Sequence, residues 1–71
     1  MSQNQKISVI IPIFNEEDSI QPLYNQIKNE LQSFDIEIIF INDGSKDDSR
    51  RNILDIMKND KGVVMVDFMR N

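Results

Sequence analysis

Residues 8–17 read Ser8-Val9-Ile10-Ile11-Pro12-Ile13-Phe14-Asn15-Glu16-Glu17, and residues 37–49 read Glu37-Ile38-Ile39-Phe40-Ile41-Asn42-Asp43-Gly44-Ser45-Lys46-Asp47-Asp48-Ser49. Each is a short, β-branched apolar run that stops in a polar turn. Near-continuous apolar runs suit strands of a parallel sheet covered on both faces, where polar and apolar residues need not alternate. In an open parallel sheet, ligands bind in the crevice outside the carboxyl ends of the strands. Phe14 to Glu17 and Asn42 to Asp48 are therefore expected to face one shared crevice.

Working outward, the first strand spans Ile7 to Phe14, with Pro12 near its end limiting the ladder there. Ile20, Leu23, Tyr24, Ile27 and Leu31 recur at steps of three and four, which predicts a helix from Ser19 to about Ser33. Asp18 or Ser19 can cap it, and Pro22 is tolerable in a first turn whose N–H groups are unpaired anyway. Ile36 to Ile41 is the second strand, closed by the turn signal Asn-Asp-Gly-Ser. Asp47, Asp48 and Ser49 suit the positive end of a second helix, which carries the narrow stripe Ile53, Leu54 and Met57. Asn59-Asp60-Lys61-Gly62 stops that helix, and Val63 to Phe68 is the third strand. Met57, Met65 and Met69 read as core filler. The order βαβαβ, without internal repeat or linker, predicts an α/β fold: three parallel strands joined by right-handed crossovers.

That handedness places both helices on one face of the sheet and leaves the other bare. Yet the strands offer apolar side chains to both faces: Val9, Ile11 and Ile13 against Ile10, Pro12 and Phe14; Ile36, Ile38 and Phe40 against Ile39 and Ile41; Val63 and Met65 against Val64, Val66 and Phe68. A contiguous apolar patch of this kind marks an interaction surface. The expectation is half of a larger doubly wound domain, or a chain that forms homo-oligomers through the exposed sheet face. An end at Met69-Arg70-Asn71, just after a strand, fits truncation.

The chain has 71 residues, 39% apolar and 28% charged, which is the composition of one small globular domain. A domain of this size buries only about 60% of the surface its unfolded chain exposes. With no Cys and no His, thiolate chemistry and the usual neutral-pH proton shuttle are unavailable, so acid–base work falls to carboxylates. The net charge of −4 and the scattered Lys and Arg give no footprint for nucleic acid. The opening Met-Ser-Gln-Asn-Gln-Lys lacks the pattern of a signal peptide, and the apolar runs are far shorter than the roughly 20 residues of a spanning helix. A cytoplasmic segment is expected.

No Gly-x-Gly-x-x-Gly follows the first strand, and no Gly-x-x-x-x-Gly-Lys loop exists, so phosphates are not cradled by a Gly-rich loop. Phe14 either caps the core at a strand end or offers a flat face for a base. Asn15 and Glu16 either hydrogen-bond a ribose or belong to a helix amino terminus. Asp43, ahead of Gly44, is either turn punctuation or a carboxylate accepting from the N–H edge of uracil or guanine. Asp47 and Asp48 read as residues complementing a helix dipole; their spacing completes no calcium loop.

Taken together, Val-Ile-Ile-Pro-Ile-Phe-Asn-Glu-Glu and Glu-Ile-Ile-Phe-Ile-Asn-Asp-Gly-Ser-Lys-Asp-Asp-Ser closely resemble the start of family 2 glycosyltransferases, over nearly the whole chain. The likeness is nearest to the branch that moves a sugar from a nucleotide donor onto a polyprenyl or dolichyl phosphate, and Phe68-Met69-Arg70-Asn71 resembles that branch's Phe-x-Arg-Asn. The resemblance implies that residues 1–71 are the N-terminal nucleotide-binding half of a Rossmann-like glycosyltransferase A-type domain. It implies that Pro12 and Phe14 line the base pocket, Glu16 reaches the ribose, and Asp43 binds the base edge; Asn15 stands beside them as a candidate nucleotide contact. The family commonly has Asp-Asp-Gly-Ser where this chain has Asn42-Asp43-Gly44-Ser45, so the first acidic position is an amide.

The family's Asp-x-Asp, which holds Mg²⁺ or Mn²⁺ on the donor diphosphate, and its acceptor-side residues do not occur within these 71 residues. The resemblance thus implies a UDP- or GDP-sugar donor, a lipid-phosphate acceptor and a divalent metal for the complete enzyme. For this chain alone it implies no catalytic residue, no metal ligand and no transfer activity. The complete enzyme is expected at the cytoplasmic face of the membrane, serving the cell envelope. Two other readings remain: a self-contained α/β interaction module that dimerises through its bare sheet face, and a degenerate receiver domain. The receiver lacks an activating Lys on a late strand.

Overall fold

The computed structural model describes residues 6–68. They run in the order β1 (Lys6–Ile13), α1 (Ile20–Glu30), β2 (Asp35–Asp43), α2 (Ser49–Asn59) and β3 (Val63–Phe68). The strands pair in parallel in the order β1-β2-β3, so both crossovers step the same way and both helices share a face. This is the three-stranded βαβαβ half of a Rossmann-like fold.

The register aligns Val9 with Ile38 and Val63, Ile11 with Phe40 and Met65, and Ile13 with Asn42 and Asp67. These rows lie under the helices. Ile13, Ile38, Phe40 and Val63 from the sheet, Ile20 from α1, and Ile53 and Ile56 from α2 form the buried core. Full burial of one such side chain contributes about 1.5–3 kcal/mol. Met57 and Met65 pack against this core from its margin.

Several boundaries depart from the sequence reading, each for a local reason. Strand β1 ends at Ile13, and Phe14 leaves the ladder. Pro12 is accommodated because β1 is an edge strand, with no ladder on one side. Strand β2 reaches Asp43 because β3 runs beside it to Phe68, pairing Asn42 with Asp67 and Asp43 with Phe68. Helix α1 stops at Glu30 rather than near Ser33; the Phe34 N–H turns back to the Leu31 carbonyl. Pro22 is its third residue, where no intrahelical donor is needed. In α2 the buried stripe is Ser49, Ile53 and Ile56, with Leu54 and Met57 half-buried beside it. The helix is therefore rotated slightly from the stripe read in sequence.

The opposite face of the sheet carries Ile10-Ile39-Val64 and Pro12-Ile41-Val66 as cross-strand rows. Ile10 is 61% exposed, and Val64, Val66 and Phe68 are exposed beside it. The bare apolar face expected from crossover handedness is present among the described residues. Met69, Arg70 and Asn71, part of the Phe-x-Arg-Asn likeness, lie outside the described residues.

Candidate functional site

Two loops leave the carboxyl ends of adjacent parallel strands, one after β1 and one after β2. Their backbones take the left-handed conformations that tight reversals require. Gly44 has φ 74, which costs glycine nothing, and Asn15 has φ 52, a conformation Asn tolerates better than most residues.

The loops are stitched together by hydrogen bonds that span 30 residues or more of sequence. The Asn15 N–H donates to Ser45 Oγ at 3.0 Å, and the Lys46 N–H donates back to Asn15 Oδ1 at 2.8 Å. The Glu16 N–H donates to Ser49 Oγ at 2.9 Å, and the Glu17 N–H to Asp47 Oδ2 at 3.2 Å. In return the Asp48 N–H donates to Glu17 Oε1 at 3.2 Å, and Asn52 Nδ2 to the Glu17 carbonyl at 2.8 Å. Three consecutive donors of the first loop are thus satisfied by side chains of the second.

This stitching decides what the amino terminus of α2 can do. Such an end ordinarily offers unpaired N–H groups to an anion. Here the Asp48 N–H is taken by Glu17 and the Ser49 N–H by Asp47 Oδ1 at 3.0 Å. Asp48, the N-cap, makes no side-chain capping bond; Asp47 does the work that the sequence reading had shared between the two. Desolvation of Asp47 opposes its ionisation, but hydrogen bonds from the Ser49 hydroxyl and N–H and from the Glu17 N–H outweigh it. The carboxyl is held below its ordinary range. Asp47 thus places negative charge beside this helix end.

The expected site residues fall into two groups. Pro12 and Asp43 lie on the bare face at the carboxyl end of the sheet, Pro12 beside Ile41 and Asp43 beside Phe68. Asn15 and Glu16 sit in the stitched loop, and both are exposed. Phe14 is 56% exposed and therefore does not cap the core. Nor do Asn15 and Glu16 belong to the first turn of α1, which begins at Ile20 behind the cap Ser19. Both of their structural alternatives in sequence fail on position. Asp43 is half-buried at the mouth of the turn.

The stitching residues Ser45, Asp47 and Ser49 were not among the expected site residues. Ser and Asp in turns signal side-chain-to-backbone bonding. Their partners lie a crossover away and leave no trace in local sequence. One further group joins the turn to β3. Asn42, only 2% exposed, accepts the Ser45 N–H on Oδ1 at 3.3 Å and donates through Nδ2 to Asp67 Oδ1 at 3.1 Å. Asp67 Oδ2 in turn accepts from Arg50 Nε at 2.7 Å. Among the described residues no three acidic side chains converge as a metal site would require.

Comparison with known proteins agrees with the architecture. The profile of the family described as Glycosyl transferase family 2 matches residues 8–71. A prophage bactoprenol glucosyl transferase homolog of Escherichia coli is 44% identical over 68 residues, covering 93% of this chain and 22% of that protein. The bactoprenol glucosyl transferase of Shigella phage SfV is 43% identical over 68 residues with the same coverage. The SfII prophage-derived bactoprenol glucosyl transferase of Shigella flexneri likewise matches at 43% over 68 residues. The chain spans about a fifth of the length of these relatives.

Proposed function

The chain belongs to glycosyl transferase family 2, and from that premise we propose that it forms the nucleotide-binding half of an enzyme transferring a sugar from a UDP- or GDP-sugar to a polyprenyl phosphate. The acceptor follows the names of the bactoprenol glucosyl transferases it resembles, which also favour glucose as the sugar. The observation that carries the reading is that Phe14 and Glu16 follow β1 and Asp43 ends β2, at the carboxyl ends of two adjacent parallel strands. That end of the sheet is where such folds receive ligands.

In this reading Phe14 stacks on the base, with Pro12 beside it as apolar wall. The Asp43 carboxylate accepts the base N–H, a contact that a uracil or guanine edge can supply and a cytosine edge cannot match in the same way. Glu16 accepts from the ribose. Asn15 already spends its amide oxygen on the Lys46 N–H, so its Nδ2 is the atom left to assist there. The stitched loops hold these groups in place before the ligand arrives, which lowers the ordering cost of binding.

The family's chemistry implies a divalent cation on the donor diphosphate. The described residues do not fit one, so no step is assigned here to a metal, and none of the described residues is assigned a catalytic role. Transfer belongs to the complete protein, which works where a water-soluble donor meets a lipid acceptor, at the cytoplasmic face of the membrane. Among the described residues no helix is long and apolar enough to cross a membrane.

Calorimetric titration with UDP and GDP tests the reading. Asp43→Asn is expected to weaken binding of the preferred nucleotide roughly tenfold, the scale of one charge-assisted hydrogen bond. Equal affinity in wild type and variant would sink the assignment of Asp43. A second reading, an interaction module that dimerises through its bare face, is favoured by the exposure of Ile10 and Phe68. It predicts a concentration-dependent dimer without nucleotide response.

A further inference from the structure

Among the described residues, Asn42 is the one buried polar side chain that touches both the turn bearing Asp43 and the third strand. Both ends of its carboxamide are committed. The oxygen accepts the Ser45 N–H, closing the turn Asn42-Asp43-Gly44-Ser45 on itself, and the nitrogen donates to the Asp67 carboxylate. Rotating the amide by half a turn would set NH₂ against N–H and oxygen against carboxylate, two repulsions in place of two bonds. The side chain therefore has one orientation. Beyond it, Arg50 from the first turn of α2 anchors Asp67 from the other side.

We propose that Asn42 is a positioning residue for the nucleotide turn: the Arg50–Asp67–Asn42 chain fixes the Ser45 N–H and, through it, the backbone that presents Asp43. The inference rests on the nucleotide reading of Asp43 above. It gives a physical reason for an amide where related chains commonly have a carboxylate. A carboxylate at position 42 accepts the Ser45 N–H equally well but has nothing to donate to Asp67. Two ionised carboxylates at this separation repel, and one must move or take a proton. The charged group bonded to Asn42 is Asp67 from β3, itself paired with Arg50 from α2.

The test exchanges donor and acceptor. In the full-length protein that carries this chain, Asn42→Asp is expected to weaken UDP or GDP binding roughly tenfold, about 1.4 kcal/mol, raising the donor KM with kcat within about twofold. Adding Asp67→Asn restores the pair with its polarity reversed, and affinity returns to within roughly threefold of wild type. If the double variant binds no better than Asn42→Asp alone, the inference is overturned. A lowered thermal midpoint with unchanged donor KM overturns it too, since that is what a merely structural role would give. Should Asn42→Asp fail to fold, Arg50→Gln removes only the far end of the chain and must still raise the donor KM; an unchanged value overturns the proposal. Wild-type protein that binds neither nucleotide overturns the nucleotide reading and this inference with it, whereas wild-type binding without rescue overturns this inference alone.

Discussion

The Tyr24 hydroxyl donates to Asp60 Oδ2 at 2.6 Å, joining the middle of α1 to the turn that precedes β3. The same oxygen meets Lys28 Nζ at 3.1 Å, while Asp60 Oδ1 accepts the Gly62 N–H at 2.9 Å. This cluster sits at the end of the sheet away from the candidate site. It holds the first helix to the second crossover, so its loss should cost stability and spare ligand binding.

Tyr24→Phe is expected to destabilise the protein by about 1 kcal/mol, the usual net worth of one hydrogen bond, since Lys28 and Gly62 continue to satisfy Asp60. Urea unfolding checks this. An unchanged midpoint would show that the contact contributes nothing, and a weakened nucleotide affinity would show that the two ends of the sheet are coupled.

The same cluster sets a pH profile. The Tyr24 hydrogen bond to Asp60, set against partial desolvation and aided by Gly62 and Lys28, holds the Asp60 carboxyl below its ordinary value of 3.8. Its folded value is depressed, so its stabilisation is present above the unfolded value and is lost as pH falls through the lower folded one. Desolvation, then the Asp60 bond and charge, push Tyr24 up from 10.0 to about 12. Its folded value is raised, so its contribution is complete below pH 10.0 and disappears as pH climbs toward 12. Stability measured against pH should therefore fall on both flanks. Tyr24 is the chain's only tyrosine, so Tyr24→Phe should remove the part of the alkaline fall between those values, and persistence of the whole fall would assign it elsewhere.

Asn15 combines a left-handed backbone, φ 52, with an acceptor for the Lys46 N–H. Asn15→Gly keeps the backbone and loses the acceptor; Asn15→Ala loses both. The alanine variant is expected to be less stable than the glycine variant by about 1 kcal/mol, the cost of placing a Cβ in that region. Chemical denaturation of the two variants side by side settles the order, and an alanine variant as stable as the glycine one would mean that the loop relaxes.

Ile53 is fully buried between α2 and the sheet. Ile53→Ala should cost about 2–5 kcal/mol. That is a large share of the roughly 5–15 kcal/mol available to a typical domain. A loss below about 1 kcal/mol would mean that the small core collapses around the void.

The sequence by itself determined the order of elements, the parallel direction of the strands and the bare face. Each follows from local information: β-branched runs for strands, three-and-four spacing for helices, and a fixed crossover hand that puts α1 and α2 on one side. The motif Asn42-Asp43-Gly44-Ser45 after an apolar strand was equally legible, and so was the family. Only the tertiary structure decided which polar residues bond the other loop. Asn15, Asp47 and Ser49 each looked like a ligand contact or a helix cap, and each proved to bind the other loop. Which of two chemically equal groups a side chain bonds depends on distances of about 3 Å. Those distances exist only once the first crossover has brought residues 30 positions apart to the same end of the sheet.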